Sequence, residues 1–305
     1  MVAWLVKGIS RWIAGLPLAR VRVLAWRWGW LLAHVVRLRR GYVLATLARC
    51  LPEKTPRERV ALYVEMCRHQ VLNLLEMMRF AGGQDAELAA LLDVRGEDVV
   101  KSALARGKGA LILIAHFGNY DLMGMFATRS FGYPVTVITK TLKDAQLNEL
   151  WVDMRRQAGV NAIPARQAYR PCLRALKKNE LVAFMLDQNR PPPLGVLVDF
   201  FGQPAGTTPG LALMSAQSQA PVVPVFMRRT PEGRHVLEVR PILEPPPDHK
   251  AETLLAYTQA YTKIIEEEIR RCPAQWLWLH KRWRIKKPKR KRTRPRPTDP
   301  PAAAR

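Results

Sequence analysis

The sequence predicts an α/β protein with a largely parallel central sheet flanked by helices. Short apolar segments, typical of buried strands, alternate with longer segments of helical periodicity. Apolar residues make up 48% of the 305 residues, which is enough for a sizeable core. The four cysteines lie far apart without a C-x-x-C pair, so we expect neither a zinc site nor a disulfide framework, and no motif calls for a cofactor.

The individual elements follow from local signals. Apolar residues recur at helical spacing over 56–80, with Pro56 suited to the first turn and Gly82 to the end. Residues 111–115 are all apolar and predict a fully buried strand. The same criteria predict further helices over 85–93, 97–106, 122–128, 143–158, 167–178, 209–219 and 251–271. They predict further strands over 135–139, 161–163, 181–186, 196–200, 222–227 and 235–240.

Residues 1–40 predict a membrane-associated helical segment. No acidic residue precedes Glu53, and five of the nine tryptophans lie among the arginines of this segment. The longest uncharged run there covers only 28–36, whereas a spanning helix needs about 20 apolar residues. An amphipathic segment in the headgroup layer therefore fits best. A tilted or re-entrant insertion and a helix packed on the protein's own core are the alternatives.

The C-terminal end is the second basic region. The net charge is +24, and eleven of the sixteen residues in 281–296 are Lys or Arg. Such a run is typical of a solvated, disordered tail that binds anionic lipid or nucleic acid. We therefore predict three parts, namely the membrane segment 1–40, a catalytic domain over 41–285 and a disordered tail over 286–305.

The strand 111–115 leads directly into a titratable pair in "LILIAHFGNYDLMG". On one straight helix His116 and Asp121 would lie about 140° apart, so they meet only if the chain turns between them. Gly118 and Asn119 tolerate such a turn. Asp121 would then accept a hydrogen bond from one ring nitrogen of His116 and leave the other free to take a proton from a hydroxyl. A helix-capping aspartate beside a structural histidine explains the spacing equally well.

Other catalytic classes lack their motifs in this sequence. It has no G-x-S-x-G, no Walker A sequence and no H-E-x-x-H. The simplest chemistry for a histidine with an aspartate is a general base that activates an acceptor hydroxyl.

Four blocks in the sequence resemble one family. "HFGNYD" is similar to the H-x4-D/E block of glycerolipid acyltransferases, and closest to that of the bacterial lipid A late acyltransferases. The same family is resembled by three further blocks in the same order: "ARQAYRPCLRALKKNELVAFMLDQN", "VLVDFFGQPAGTTPGLALMSAQSQAPVVPVF" and "QWLWLHKRW". Asp121 stands where the late acyltransferases carry Glu, and Tyr120 replaces Trp. The resemblance implies a glycerolipid-acyltransferase-like fold.

The resemblance also implies roles for individual residues. His116 would be the catalytic base and Asp121 its partner, while Arg166 would contact an anionic group of a substrate. Asp187 and Gln188 match a D-Q pair at a strand end, and capping of that strand is the alternative. The cleft would be shaped by Phe200, Phe201, Gly202, Thr207 and Gly210, although a core-lining turn explains these residues as well.

The resemblance further implies an O-acyltransferase on the cytoplasmic face of the inner membrane. Its donor would be an acyl carrier protein thioester, and its acceptor a hydroxyl of a membrane glycolipid such as a lipid A precursor. A lysophospholipid or another glycolipid is the alternative acceptor. A basic protein without catalysis, binding nucleic acid or membrane, is the alternative class. The basic run over 281–296 has only one aromatic residue and no folded recognition motif, so no specific nucleic acid is expected.

Overall fold

A computed structural model describes residues 2–139, 141 and 144–284. The helices are α1 Val2–Gly15, α2 Leu18–His34, α3 Arg40–Cys50, α4 Pro56–Ala81, α5 Asp85–Ala89, α6 Glu97–Leu104, α7 Tyr120–Arg129, α8 Ala145–Gln157, α9 Tyr169–Lys177, α10 Gly210–Ser218 and α11 Ala251–Arg271. The strands are β1 Leu92–Arg95, β2 Ala110–Ile114, β3 Val135–Thr139, β4 Val160–Pro164, β5 Leu181–Met185, β6 Val196–Phe200, β7 Gln203–Thr207, β8 Val222–Arg229 and β9 His235–Val239.

In the described residues the central sheet has seven strands in the order β1-β9-β8-β2-β5-β3-β4. All neighbouring pairs are parallel except β8 and β9. The carboxyl ends of β2, β3, β4, β5 and β8 therefore meet at one edge, which is where α/β folds place their sites. The predicted α/β class with a mostly parallel sheet is confirmed.

Helices cover both faces of the sheet. Strand β2 is buried throughout because its alternate side chains enter two different cores. Leu111 and Leu113 pack with helices α9, α10 and α11, whereas Ile112 and Ile114 pack with α7 and α8. A strand buried on both faces has no solvent side, which explains its uninterrupted apolar sequence.

Four local features differ from the sequence prediction. The helix predicted over 85–93 ends at Ala89, and the next residues form β1, which pairs with the free edge of β9. Strand β6 lies outside the central sheet and forms a separate hairpin with β7. The sequence did not predict β7, because Pro204 and Gly206 lower its strand propensity. A two-stranded hairpin tolerates both residues, since each of its strands is an edge strand. Helix α3 was not predicted.

The two N-terminal helices pack on α4. Ile13, Val21 and Ala25 form a small apolar core with Leu75. At Gly29 a side chain would fall 2.5 Å from the Cα of Arg68, so α2 and α4 are in direct contact. Packing on the protein's own core is thus correct for one face of this segment.

The other face of these helices carries exposed tryptophans, namely Trp12, Trp26, Trp28 and Trp30. None of the helices in the described residues is both long enough and apolar enough to cross a bilayer. The division at residue 40 stays a prediction, and residues 286–305 lie outside the described part of the chain.

Candidate active site

The turn that carries His116 follows β2 directly. Gly118 has a φ of +58°, and a side chain there would fall 1.6 Å from the carbonyl oxygen of Met227, so only glycine fits. Asn119 caps helix α7, and its side-chain oxygen accepts a hydrogen bond from the backbone N–H of Leu122 at 3.2 Å. The predicted sequence of strand, turn and helix is therefore present.

His116 is held by Asp187, which follows strand β5. The Nδ1 atom of His116 lies 2.9 Å from Oδ1 of Asp187, and its backbone N–H donates to Oδ2 at 2.9 Å. Trp276 donates its indole N–H to the same Oδ2 at 2.8 Å. An ionised carboxylate only accepts hydrogen bonds, so Nδ1 carries the hydrogen and Nε2 is the basic nitrogen.

Burial and hydrogen bonding oppose each other at this pair. Burial disfavours the charged form of Asp187, but His116 and Trp276 outweigh it and hold the pKa of this carboxyl well below its usual range. Burial also disfavours protonated His116, and the Asp187 carboxylate outweighs it, so the pKa of His116 lies above its ordinary 6.5. The pair is therefore arranged to stabilise an imidazolium.

Asp121 does not accept the hydrogen bond from His116 that the spacing predicted. Its Oδ1 instead accepts from Arg155 of α8, with distances of 2.6 Å to Nη2 and 3.1 Å to Nε. That expected pairing is wrong because α7 begins at Tyr120 and turns Asp121 toward α8. The register of the sheet explains the actual partner, since Ile114 pairs with Met185 and the residues two positions further are His116 and Asp187.

Two other side chains flank the imidazole. The side-chain amide nitrogen of Gln188 lies 3.4 Å from Nε2 of His116. The ring of Tyr120 meets that of His116 edge to face, with centroids 5.0 Å apart. Burial raises the pKa of Tyr120, so this phenol is neutral at physiological pH.

An apolar cavity of about 350 Å³ opens beside His116. We call this space the apolar cavity. Its floor is one face of the sheet, formed by Ile112, Ile114, Val135, Val137, Leu181, Ala183, Met185, Val225, Leu237 and Val239. Met123, Gly124 and Ala127 of α7 cover it. The polar lining is concentrated at the carboxyl edge of the sheet, where His116, Tyr120, Asp121, Thr139, Arg155 and Gln188 lie.

The remaining predicted site residues lie elsewhere. Arg166 is exposed in a short 3-10 turn after β4 and, within the described residues, is not part of the cavity lining. Phe201 packs on Trp278 in the buried core of the hairpin, and its backbone N–H donates to Glu266 at 2.7 Å. Gly202 turns the hairpin with a φ of +71°, and Gly210 begins α10. Within the described residues, none of these four residues lines the apolar cavity.

Thr207 acts on the site through Arg282. The Arg282 guanidinium donates to Oγ1 of Thr207 at 2.5 Å and to the carbonyl oxygen of Gln188 at 3.2 Å. The hairpin is thereby tied to the segment that carries Asp187 and Gln188. Phe200 is fully buried and stacks on Trp283 of the same C-terminal segment. The core-lining alternative describes both Phe200 and Thr207.

Residues 275–283 hold His116 and Asp187 in place, a role that the sequence did not predict. Trp276 anchors Asp187, and the backbone N–H of Leu277 donates to the carbonyl oxygen of His116 at 3.0 Å. Arg155 was missed altogether, because in the sequence nothing distinguishes it from its neighbour Arg156 on an amphipathic helix. Among the described residues, no group of three or more His, Cys, Asp or Glu side chains is arranged to hold a metal ion.

The chain is similar to known acyltransferases. Residues 1–285 match the family described as bacterial lipid A biosynthesis acyltransferase. The lipid A biosynthesis lauroyltransferase of Escherichia coli K12 is 27% identical over 289 residues, which cover 93% of this chain and 92% of that protein. The phosphatidylinositol mannoside acyltransferase of Mycobacterium tuberculosis CDC 1551 is 31% identical over 216 residues, which cover 68% and 66%.

Among solved structures, the 1-acyl-sn-glycerophosphate acyltransferase of Thermotoga maritima is similar with a TM-score of 0.38 and 17% identity, over 82% of this chain and 97% of that one. The family match covers all of the described residues and confirms the resemblance carried by the four sequence blocks. The protein belongs to the bacterial lipid A biosynthesis acyltransferases and is an O-acyltransferase.

Proposed function

We propose that this protein transfers a fatty acyl chain from an acyl carrier protein thioester to a hydroxyl of a membrane glycolipid, with His116 as the general base. One observation carries the proposal: the basic nitrogen of His116 lies at the polar end of an apolar cavity, while its other nitrogen is held by a buried carboxylate. An acyl chain is the kind of group that such a cavity stabilises.

The proposed reaction needs only one proton shuttle. Nε2 of His116 takes the proton of the acceptor hydroxyl as its oxygen attacks the thioester carbonyl carbon. Asp187 stabilises the resulting imidazolium through Nδ1. The tetrahedral intermediate collapses with cleavage of the carbon–sulfur bond, and the imidazolium returns the proton to the departing thiolate. The products are an ester and a free thiol.

Asp121 acts in this proposal through its ion pair. The pair with Arg155 lines the apolar cavity beside His116, and both side chains are largely buried, at 11% and 12% exposure. Its role is to hold α7 and α8 together at the polar end of the cavity. The negative charge of Asp121 also favours protonated His116, with less effect than Asp187.

The apolar cavity gives a prediction on the length of the acyl chain that the protein accepts. Gly124 lines the cavity, and a Cβ atom there would meet only Val160, at 3.9 Å, so a larger side chain enters open space. Each excluded methylene forfeits about 0.8 kcal/mol of burial. Gly124→Leu is therefore expected to lower kcat/KM for the longest accepted donor by about ten-fold or more while sparing shorter donors.

Competition assays between donors of graded chain length measure this shift. Gly41→Leu is the matched control, since Gly41 is an exposed helical glycine with open space around it and lies outside the cavity lining. An unchanged chain-length profile in Gly124→Leu would show that the acyl chain binds elsewhere.

The charge of the chain supports the proposed partners. The net charge of +24 attracts both an acidic carrier protein and an anionic membrane surface. The exposed tryptophans of α1 and α2 suit the headgroup layer, and inner-membrane attachment with the catalytic domain on the cytoplasmic face is the arrangement we propose.

Membrane attachment is tested by removing these tryptophans. Trp12, Trp28 and Trp30 are 54%, 41% and 44% exposed, so each presents a large part of its ring at the surface. The triple variant, with serine at all three positions, is expected to bind anionic vesicles about ten-fold or more weakly, because each ring loses apolar burial. Vesicle flotation measures the change. Tyr169→Ala, which removes a 40% exposed aromatic side chain from α9, is the control. Equal flotation of the triple variant and this control would refute the proposed face.

The acceptor is tested by an acyl-transfer assay. Purified protein is incubated with an acyl carrier protein thioester and with a lipid A precursor, a phosphatidylinositol mannoside or a lysophospholipid in separate vesicles. We expect transfer to the lipid A precursor. A mannoside acceptor is the second candidate because one relative carries that activity in its name. Transfer to the lysophospholipid alone would refute the proposed acceptor, and no transfer to any of the three would refute the proposed function.

A further inference from the structure

A buried ion pair lies next to the Gly118–Asn119 turn. Glu76 of α4 is 1% exposed, and its Oε2 accepts from Nη2 of Arg229 in β8 at 2.5 Å. Arg229 is 7% exposed and also donates to Oδ1 of Asn73 at 3.0 Å. His69 lies against the same guanidinium, 2.9 Å from Nη1. Neither Glu76 nor Arg229 lines the cavity within the described residues.

This cluster holds both residues of the turn. Asn119, which caps α7, donates its amide to Oε2 of Glu76 at 2.9 Å. Asn73, held by Arg229, donates its amide to the carbonyl oxygen of Gly118 at 2.6 Å. The turn thus donates one hydrogen bond to Glu76 and accepts one from Asn73, which Arg229 positions.

Arg229 also anchors the turn from its other side. Gln275 exchanges two hydrogen bonds with the backbone of Arg229, at 2.8 Å and 2.7 Å. The carbonyl oxygen of Gln275 accepts from the backbone N–H of Gly118 at 3.0 Å. Gly118 itself has no freedom to move toward β8, because Met227 lies directly against it. The turn is therefore held on one side through the Glu76–Arg229 pair and on the other through Gln275 and Met227.

Stability alone is a poor reason for such a pair. Removing two charges from water costs energy that their attraction only just offsets, and well-packed apolar replacements are often neutral or stabilising. The charges are nevertheless fixed. Burial disfavours ionised Glu76, but Arg229 and His235 outweigh it and hold its pKa well below the usual range. Burial and the adjacent Arg229 lower the pKa of His69 to about 4, so His69 is neutral behind the pair.

We propose that Glu76 and Arg229 are positioning residues, whose buried pair fixes the Gly118–Asn119 turn so that Nε2 of His116 meets the acceptor hydroxyl in the productive geometry. The inference rests on the proposed function of His116. It assigns a catalytic consequence to two charges that touch neither the proposed substrate cavity nor His116.

The test compares two buried carboxylates. Glu76→Gln keeps the size of the side chain but places an amide N–H₂ group against the donors of Arg229 and Asn119. Glu268→Gln is the matched control. Glu268 lies on α11, is 2% exposed and pairs with Arg240 at 2.7 Å, away from the turn. Both variants are assayed for acyl transfer well below their measured melting temperatures. Glu76→Gln is expected to lose kcat by about 10- to 100-fold with little change in KM, and Glu268→Gln to keep its kcat.

A readout independent of activity accompanies the assay. Diethyl pyrocarbonate modification of His116, followed by mass spectrometry of the peptide that contains it, reports how firmly the turn is held. The rate of modification is expected to rise in Glu76→Gln and to stay at the wild-type value in Glu268→Gln. Arg229→Lys, which keeps the charge but loses the fork to Asn73, is expected to lie between wild type and Glu76→Gln in both measurements.

The outcomes separate the two proposals. Wild-type kcat and wild-type His116 modification in a folded Glu76→Gln protein would overturn the positioning role. Equal losses of kcat in Glu76→Gln and Glu268→Gln would also overturn it, since both would then reflect general destabilisation. A wild-type protein without transfer activity would refute the proposed function, while the His116 modification rates would still decide whether the pair holds the turn.

Discussion

Replacing His116 with alanine is expected to reduce acyl transfer by about 10²- to 10⁴-fold, which is the usual contribution of a positioned general base. The loss falls on kcat, because the imidazole moves a proton in the transition state and contributes little to binding the acyl chain. The apolar cavity itself is unchanged, so KM for the donor stays near the wild-type value. Initial rates of thioester-dependent transfer measure both constants.

The control for this variant is its folding. His116 is only partly exposed, and its removal leaves the buried Asp187 with Trp276 and a backbone N–H as partners. We therefore expect a cooperative thermal transition and normal vesicle binding. Near-normal transfer by a folded His116→Ala protein would exclude His116 as the base.

Replacing Asp187 with asparagine is expected to be nearly as damaging as the loss of His116. The amide keeps the shape of the side chain but no longer stabilises the imidazolium. Its N–H₂ group is a donor, and facing Nδ1 of His116 it favours the tautomer in which Nε2 carries the hydrogen. The expected fall in kcat is about 10²-fold or more. Asp121→Asn is the matched variant, because it makes the same chemical change at a nearby carboxylate that bonds to Arg155. Its effect is expected to be smaller, because Asp121 binds Arg155 and not His116.

The relative size of the two losses of kcat distinguishes the His116–Asp187 pair of the structure from the His116–Asp121 pair predicted from the sequence. If Asp121→Asn lowered kcat more than Asp187→Asn, the partner of His116 during catalysis would be Asp121, as the H-x4-D spacing suggests. The comparison requires equal melting temperatures or assay temperatures well below both, since each substitution breaks a largely buried contact.

The strand and turn that carry His116 followed from the sequence, but the partner of His116 did not. An uninterrupted apolar run leading into His116, with Gly118 two residues later, correctly predicted a buried strand, a turn and a helix. The D-Q pair at 187–188 was correctly identified as lying at a strand end, yet its contact with His116 depends on the neighbouring position of β2 and β5 and on their register. Strand order is a property of the whole sheet and is not encoded near His116.

The supporting residues show a second limit of sequence reasoning. A charged residue in a helix or strand usually indicates an exposed position. Tertiary packing nevertheless buries most of the side chains of Glu76, Arg229 and Arg155. Phe200, Phe201 and Thr207 stand in a block shared with the family, but the structure uses them in the hairpin core and not in the cavity lining. Family resemblance located these positions without distinguishing support from contact.

Titration of the His116 ring by NMR tests the central claim most directly, because it reports the His116–Asp187 pair without requiring a substrate. The carboxylate favours the protonated ring, so the pKa of His116 in the wild-type protein is expected above the ordinary 6.5, and base activity should rise as the pH increases through that value. Asp187→Asn is expected to bring the pKa of His116 down markedly, and Asp121→Asn to lower it only slightly. A pKa that stays unchanged in Asp187→Asn, or falls further in Asp121→Asn, would contradict the account.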